Sequence, residues 1–256
     1  MITNLIILIL VAVLLGASAG YLGSFMVLKR MSLVGDALSH VALPGMAVAL
    51  LLHQNPILGA FIALAAAIFG IWCLQQNSTV YPDALVGIFF TASLAIGLLI
   101  TPETELLEAL FGNIQNLGLL EAAATLLISA LVIILTRLIS RRLTLNIISE
   151  DLAKTAGFSG KYTSLVYLLL VGVVVALGVK FVGTLLTGAL VIIPAASAKN
   201  ISRSLTTYTL WSALFGLISA VLGVAISYLF GLPSGPVTIL SGIAIFILSL
   251  GIKRFV

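Results

Sequence analysis

The sequence predicts an all-α fold, a polytopic bundle of membrane-spanning helices read as one transmembrane domain over residues 1–256. Three observations predict it. First, 61% of the residues are hydrophobic and only 8% are charged, where ordinary soluble domains carry roughly 25% charge. Second, the mean hydropathy is +1.29, more apolar surface than one water-facing domain could hide around a single core. Third, the apolar runs are long and do not alternate, which suits helices in lipid and excludes the dyad pattern of outer-membrane barrel strands.

Apolar windows between polar or Pro/Gly breaks place nine candidate spans near 4–28, 35–52, 57–74, 84–100, 118–137, 163–181, 183–197, 205–230 and 236–252. The first, MITNLIILILVAVLLGASAG, has the look of a signal peptide, with ASA at a plausible cleavage point. No Lys or Arg precedes the run, and it continues to Leu28, so it is read as a retained span. The seventh is short for a hydrocarbon core of ~30 Å, which takes about 20 helical residues, and is expected to be broken or re-entrant.

Basic residues set the expected orientation. With the 138–162 loop inside, Lys29, Arg30, Arg137, Arg141, Arg142, Lys154, Lys161, Lys199, Arg203, Lys253 and Arg254 all fall on the cytoplasmic side. Only Lys180 does not. The N-terminus is then outside, the C-terminus cytoplasmic, and Glu103, Glu105, Glu108 and Glu121 lie in or near the outer loop. The net charge of +4 is this loop bias and implies no nucleic-acid partner. Cys73 is the single cysteine, which excludes an intrachain disulfide or a thiolate cluster and leaves it as a small hydrophobe.

The second and seventh spans share a character. ALPGMA (42–47) and GALVIIPAASA (188–198) each set a proline among small residues, where a helix loses a backbone hydrogen bond and can kink. They run in opposite directions, so spans 1–4 and 6–9 fit an inverted repeat about the fifth, a pattern that points to a transport pathway.

Asp36 and His40 are the polar residues that need explaining. Four residues apart on a helix, they share one face, ~6 Å along the axis. An ionised Asp at the bilayer centre costs ~2.5–3.5 kcal/mol on insertion scales, so neither is expected to face lipid. Three readings stand: a structural pair or helix N-cap, a proton relay, and a metal site of imidazole plus carboxylate suited to Zn²⁺, Mn²⁺ or Fe²⁺. Two ligands make a weak site, which suits an ion that must also leave. Two copies about a dimer axis would make four.

Other polar groups carry weaker signals. His53, in the loop LLHQNP, could receive an ion but reads more simply as solvated. Glu103, Glu105 and Glu108 could attract cations or contact a binding protein. Met46 could offer a soft sulfur, though methionine usually fills gaps. Thr184 and Thr187 are expected to bond carbonyls of their own helix. SEDLAKTAG (149–157) reads as a short helix with Ser149 as N-cap, Glu150 and Asp151 in the first turn, and Gly157 at the end, with a solvated connecting loop as the equal alternative on these residues alone.

The chain lacks the residues for ATP hydrolysis. The nearest approach to a phosphate-cradling G-x-x-x-x-G-K-[ST] loop is TAGFSGKY (155–162), with Thr155 and Tyr162 at required Gly and Ser/Thr positions. It has no H-E-x-x-H, and its G-x-S-x-G match, GASAG (16–20), lies inside the first apolar span rather than at the strand-to-helix elbow a nucleophilic serine needs, so peptidase and serine-hydrolase chemistry have no support.

KRMSLVGDALSHVALPGMAVALLL (29–52) resembles the most characteristic stretch of bacterial metal-type ABC importer permeases, R-M-x-L-x-G-D-A-L-S-H-x-x-L-P-G. The resemblance continues in DALVGIFFTASLAIGLLI (83–100), LFGNI (110–114), EDLAKTAGFSGKY (150–162), VGTLLTGALVIIPAASAKNIS (182–202) and LPSGPVTIL (232–240). It implies a type II ABC importer-like permease that carries zinc, manganese or iron as transported ion, with no permanently bound cofactor. Asp36 and His40 would line the metal pathway. The 149–162 region would be the coupling segment that docks on a cytoplasmic ATPase, using Glu150, Asp151, Leu152, Ala156, Gly157 and Phe158, with Lys154 and Lys161 at the rim. The resemblance also implies a second permease copy, an extracytoplasmic metal-binding protein, and the inner membrane as location. A proton-coupled secondary transporter, with Asp36 and His40 as relay, is the alternative to this ATP-driven reading; a non-transporting membrane scaffold is a further one.

Overall fold

The computed structural model describes residues 2–80, 82–100, 118–184 and 186–253. They form ten helices: α1 (Ile2–Leu28), α2 (Ser32–Leu51), α3 (Pro56–Asn77), α4 (Pro82–Ile100), α5 (Leu119–Ile148), α6 (Glu150–Thr155), α7 (Gly160–Val182), α8 (Thr187–Ile201), α9 (Leu205–Phe230) and α10 (Ser234–Lys253). Seven are long and apolar enough to cross a membrane: α1, α2, α3, α5, α7, α9 and α10. The stretch Ala84–Ile100 of α4 is a shorter apolar helix. The predicted seventh span is α8, shifted to Thr187–Ile201 and 15 residues long. At 1.5 Å per residue it spans about 22 Å, short of the bilayer core. The predicted fifth span, 118–137, continues in α5 as an unbroken helix to Ile148.

Helix ends follow local chemistry. The Asn55 side chain accepts from the Ile57 amide at 2.9 Å and Pro56 opens α3, where its missing N–H costs nothing. The Ser204 and Thr207 hydroxyls cap α9 reciprocally. Gly231 closes α9 in the left-handed region (φ 66°), and Gly183 (φ 92°) ends α7 so the chain can turn into α8.

Lipid offers helices no hydrophobic drive to associate, so close packing of small residues holds such bundles together. α1 and α9 show it. Gly16 and Gly20, four apart, lie against Gly216 and Ser212, and the Ser212 hydroxyl donates to the Gly20 carbonyl. A Cβ at either glycine would strike the backbone of α9. The ASA tripeptide is therefore part of a packing face, with Ser18 and Ala19 fully buried. α2 and α3 use the same device at Gly45 and Gly59.

The pattern of packed pairs carries the inverted repeat. Exchanging α1 with α7, α2 with α8, α3 with α9 and α4 with α10 turns α1–α9 into α7–α3, and α1–α8 into α7–α2. It turns α2–α3 into α8–α9, α2–α4 into α8–α10, and α1–α5 into α7–α5, while α2–α8 maps onto itself. α1 runs parallel to α5: Val11 and Leu15 line one cavity with Glu121 and Thr125, while Tyr21 and Phe25 line another with Arg137 and Ser140. α7 runs antiparallel to α5, with Lys180 at Glu121 and Gly160 at Asn146. The two halves are thus inverted, with α2 and α8 crossing between them.

Candidate functional site

The site forms at that crossing. Gly35 of α2 and Gly188 of α8 let the two backbones meet: a Cβ built on Gly188 would lie 2.6 Å from the Cα of Asp36. Asp36 is in the second turn of α2 and Gly188 in the first turn of α8. Both helix dipoles therefore present their positive ends near the carboxylate. A cation would be repelled there without that acid.

Among the described residues, Asp36 and His40 form neither an N-cap for α2 nor a hydrogen bond with each other. The N-cap position of α2 is Met31, with no side-chain cap. Among the described residues no hydrogen bond or salt bridge engages the Asp36 carboxylate; only its backbone carbonyl is used, accepting from the Ser39 hydroxyl at 2.7 Å. His40 is 6% exposed, and its Nδ1 is closed from solvent without a hydrogen-bond partner. The ring stands edge-on to Phe90 of α4, centroids 5.0 Å apart. Leaving a buried polar atom unpaired costs about 1–3 kcal/mol. Pro44 has no amide hydrogen to donate to the His40 carbonyl one turn back. The helix nevertheless runs unbroken through Pro44, as α8 does through Pro194.

The remaining sequence candidates separate. His53 is exposed just past the far end of α2, in the left-handed region (φ 54°), and does not join Asp36. Met46 is half-buried against the core. Thr187 donates to the Gly183 carbonyl at 2.6 Å as expected, whereas Thr184 does not follow expectation: its hydroxyl is fully buried with no partner. Glu103, Glu105 and Glu108 lie outside the described residues. Among the described residues no cluster of three or more His, Cys, Asp or Glu could hold a metal ion. Among the described residues, Asp36 and His40 therefore have no third side chain of those types grouped with them.

Lys180, the one lysine that broke the charge rule, pairs with Glu121 across α7 and α5. Fifty-nine residues separate them, so no sequence window could have joined them. Sequence reasoning also missed Lys29. Its ammonium donates to the Ser164 hydroxyl at 2.9 Å and lies 5.5 Å from the Tyr167 ring centroid, and burial pushes its pKa down to about 8. Asn146 reaches the same Ser164, so the turn before α2 is tied to both helices flanking α6.

α6 forms as expected. Ser149 caps it by accepting from the Leu152 amide at 3.4 Å, Asp151 pairs with Lys154 at 3.8 Å, and Gly157 (φ 77°) ends it. Ala153 is buried and anchors the helix, while Asp151, Leu152 and Ala156 are exposed. Phe158 is half-buried, with the Arg142 guanidinium 4.9 Å from its ring centroid, so part of that side chain is spent on α5.

Such a bundle, two inverted halves crossing at an unpaired Asp–His helix, defines a multi-pass membrane permease. The family model described as the ABC 3 transport family matches residues 1–253, and the chain belongs to that family. It is 31% identical over 245 residues to the manganese transport system membrane protein MntC of Listeria monocytogenes, covering 94% of this chain and 88% of that one. It is 29% identical over 253 residues to the high-affinity zinc uptake system membrane protein ZnuB of Haemophilus influenzae, covering 94% and 95%. Among solved structures it is similar to PsaBC from Streptococcus pneumoniae in complex with Fab, with a TM-score of 0.83, 30% identity, and 97% and 95% of the two chains covered.

Proposed function

We propose that this chain is the membrane-spanning subunit of an ATP-driven importer for a divalent transition-metal ion, with Asp36 and His40 holding the ion in transit. The observation that carries this is the pair's unmet chemistry: a carboxylate without a partner and a buried imidazole nitrogen without a donor, one turn apart. A borderline-soft cation satisfies both at once. Relatives named for manganese and for zinc support the substrate class and leave the metal open.

The partners follow from the same reading. α6, anchored by Ala153 and exposing Leu152 and Ala156, docks on a cytoplasmic ATPase, with Glu150, Asp151, Gly157 and Phe158 completing the segment. The α6 end is then cytoplasmic and the N-terminus lies outside, in a bacterial inner membrane. An extracytoplasmic binding protein delivers the ion, and a second copy of the chain completes a four-ligand site. ATP binding moves α6. The tie from Lys29 to Ser164 passes that movement to α2, and the crossing of α2 and α8 changes the side to which Asp36 opens.

Proteoliposomes containing this chain, its ATPase and its binding protein test the reading with equal Zn²⁺, Mn²⁺ and Fe²⁺. ATP-dependent accumulation is expected. Uptake that ignores ATP and follows a proton gradient would replace the importer with a secondary carrier.

A further inference from the structure

A groove of about 670 Å³ opens between α1, α5 and α9 toward the α6 end, and Asp36 is not among its lining residues. Its polar part is lined by Arg137, Arg141, Ser140, Thr206 and Thr209, with Tyr21 close to Ser140 and Arg137. Its floor is apolar and runs deeper into the span, with Ala17, Ile133, Leu210 and Ala213. No acidic residue lines it.

Arg137 and Arg141 stand one turn apart on α5, where two like charges repel unless an anion lies between them. Neither forms a salt bridge among the described residues. The first turn of α9 also faces the groove through Leu205 and Thr206, and a helix N-terminus favours an anion. These independent features ask for negative charge at one place. The apolar floor beneath them asks for hydrocarbon.

We propose that this groove binds an anionic phospholipid of the leaflet on the α6 side, its headgroup phosphate between Arg137 and Arg141 and an acyl chain along Ile133 and Leu210. Charge complementarity selects this occupant. In a two-fold contact the same patch meets itself, and this groove supplies no acid to pair with the arginines. A free phosphate would leave the apolar floor uncovered. Basic pockets between transmembrane helices on the cytoplasmic side are suited to such headgroups; that the leaflet is cytoplasmic rests on the orientation proposed above.

The test is native mass spectrometry of the permease–ATPase complex released from membranes of equal phosphatidylglycerol and phosphatidylethanolamine. Retained phosphatidylglycerol is expected in the wild type, falling about tenfold or more in Arg137→Gln/Arg141→Gln, from the loss of two charges near the surface. Arg142→Gln, which lies over Phe158 outside the groove, should retain it. Leu210→Trp, at a 68% exposed position, should also lose the lipid without touching a charge, which covers misfolding of the double variant. Equal retention of phosphatidylethanolamine, or an unchanged double variant, would overturn the proposal. Displacement by inorganic phosphate alone would make it a free-anion site. Loss of the dimer mass in either variant would make it a subunit interface.

Discussion

Gly188 packs against the backbone of Asp36, and a Cβ there would lie 2.6 Å from the Asp36 Cα. The crossing of α2 and α8 thus has no room for any side chain at position 188, against the residue that bears the carboxylate. Gly188→Ala should push the helices apart and cost about 1–3 kcal/mol through overpacking. Ion uptake should fall more than protein yield does. Gly251→Ala, with nothing within 4 Å of a Cβ, is the matched control. Thermal unfolding and uptake on both variants check this.

The α1–α9 seam makes a different prediction. Gly20→Leu meets the Ser212 backbone and removes the approach that allows Ser212 to reach the Gly20 carbonyl. Stability should fall by about 2 kcal/mol or more, since packing of small residues is the main source of association in lipid. Size-exclusion profiles after heating detergent-solubilised protein report it.

Lys29 gives a pH dependence with a definite sign. Its folded pKa is about 8 against an ordinary value of 10.5. Below pH 8 the ammonium is charged in both states, and the folded protein bears the full cost of burying it. Between about 8 and 10.5 the unfolded chain binds the extra proton, so stability attributable to Lys29 rises with pH. The Tm of the wild type should gain on that of Lys29→Met across this window. Parallel curves would refute it.

α6 predicts a separation of folding from docking. Leu152 is 50% exposed, so Leu152→Asp should leave the bundle intact. Copurification of the ATPase should drop by about tenfold or more, as expected when an apolar anchor is lost from a small interface.

The membrane bundle was legible in hydropathy alone, and the Asp36–His40 face in a four-residue spacing. The end of α5 was not. Arg137, Arg141 and Arg142 lower the hydropathy, yet arginine is a good helix former, so the helix continues to Ile148. The start of α8 was placed four residues early because Gly183-Thr184-Leu185-Leu186 carries no charge to interrupt the apolar run, while the positive φ of Gly183 forces a turn. Pairings such as Lys180–Glu121 and Lys29–Ser164 depend on tertiary packing across 59 and 135 residues. The sequence also left the structural and functional readings of Asp36 open. The structure adds the unpartnered carboxylate and the closed-off Nδ1 of His40, which no sequence pattern announces.

The most direct measurement is ATP-driven metal accumulation by the reconstituted complex, wild type against Asp36→Asn and His40→Gln, with ATPase association measured on the same samples. The account predicts normal association and ATP hydrolysis with uptake reduced at least ~100-fold in each, the loss expected when one of so few ligands is removed. Full uptake in the double variant, with the complex assembled, would contradict it.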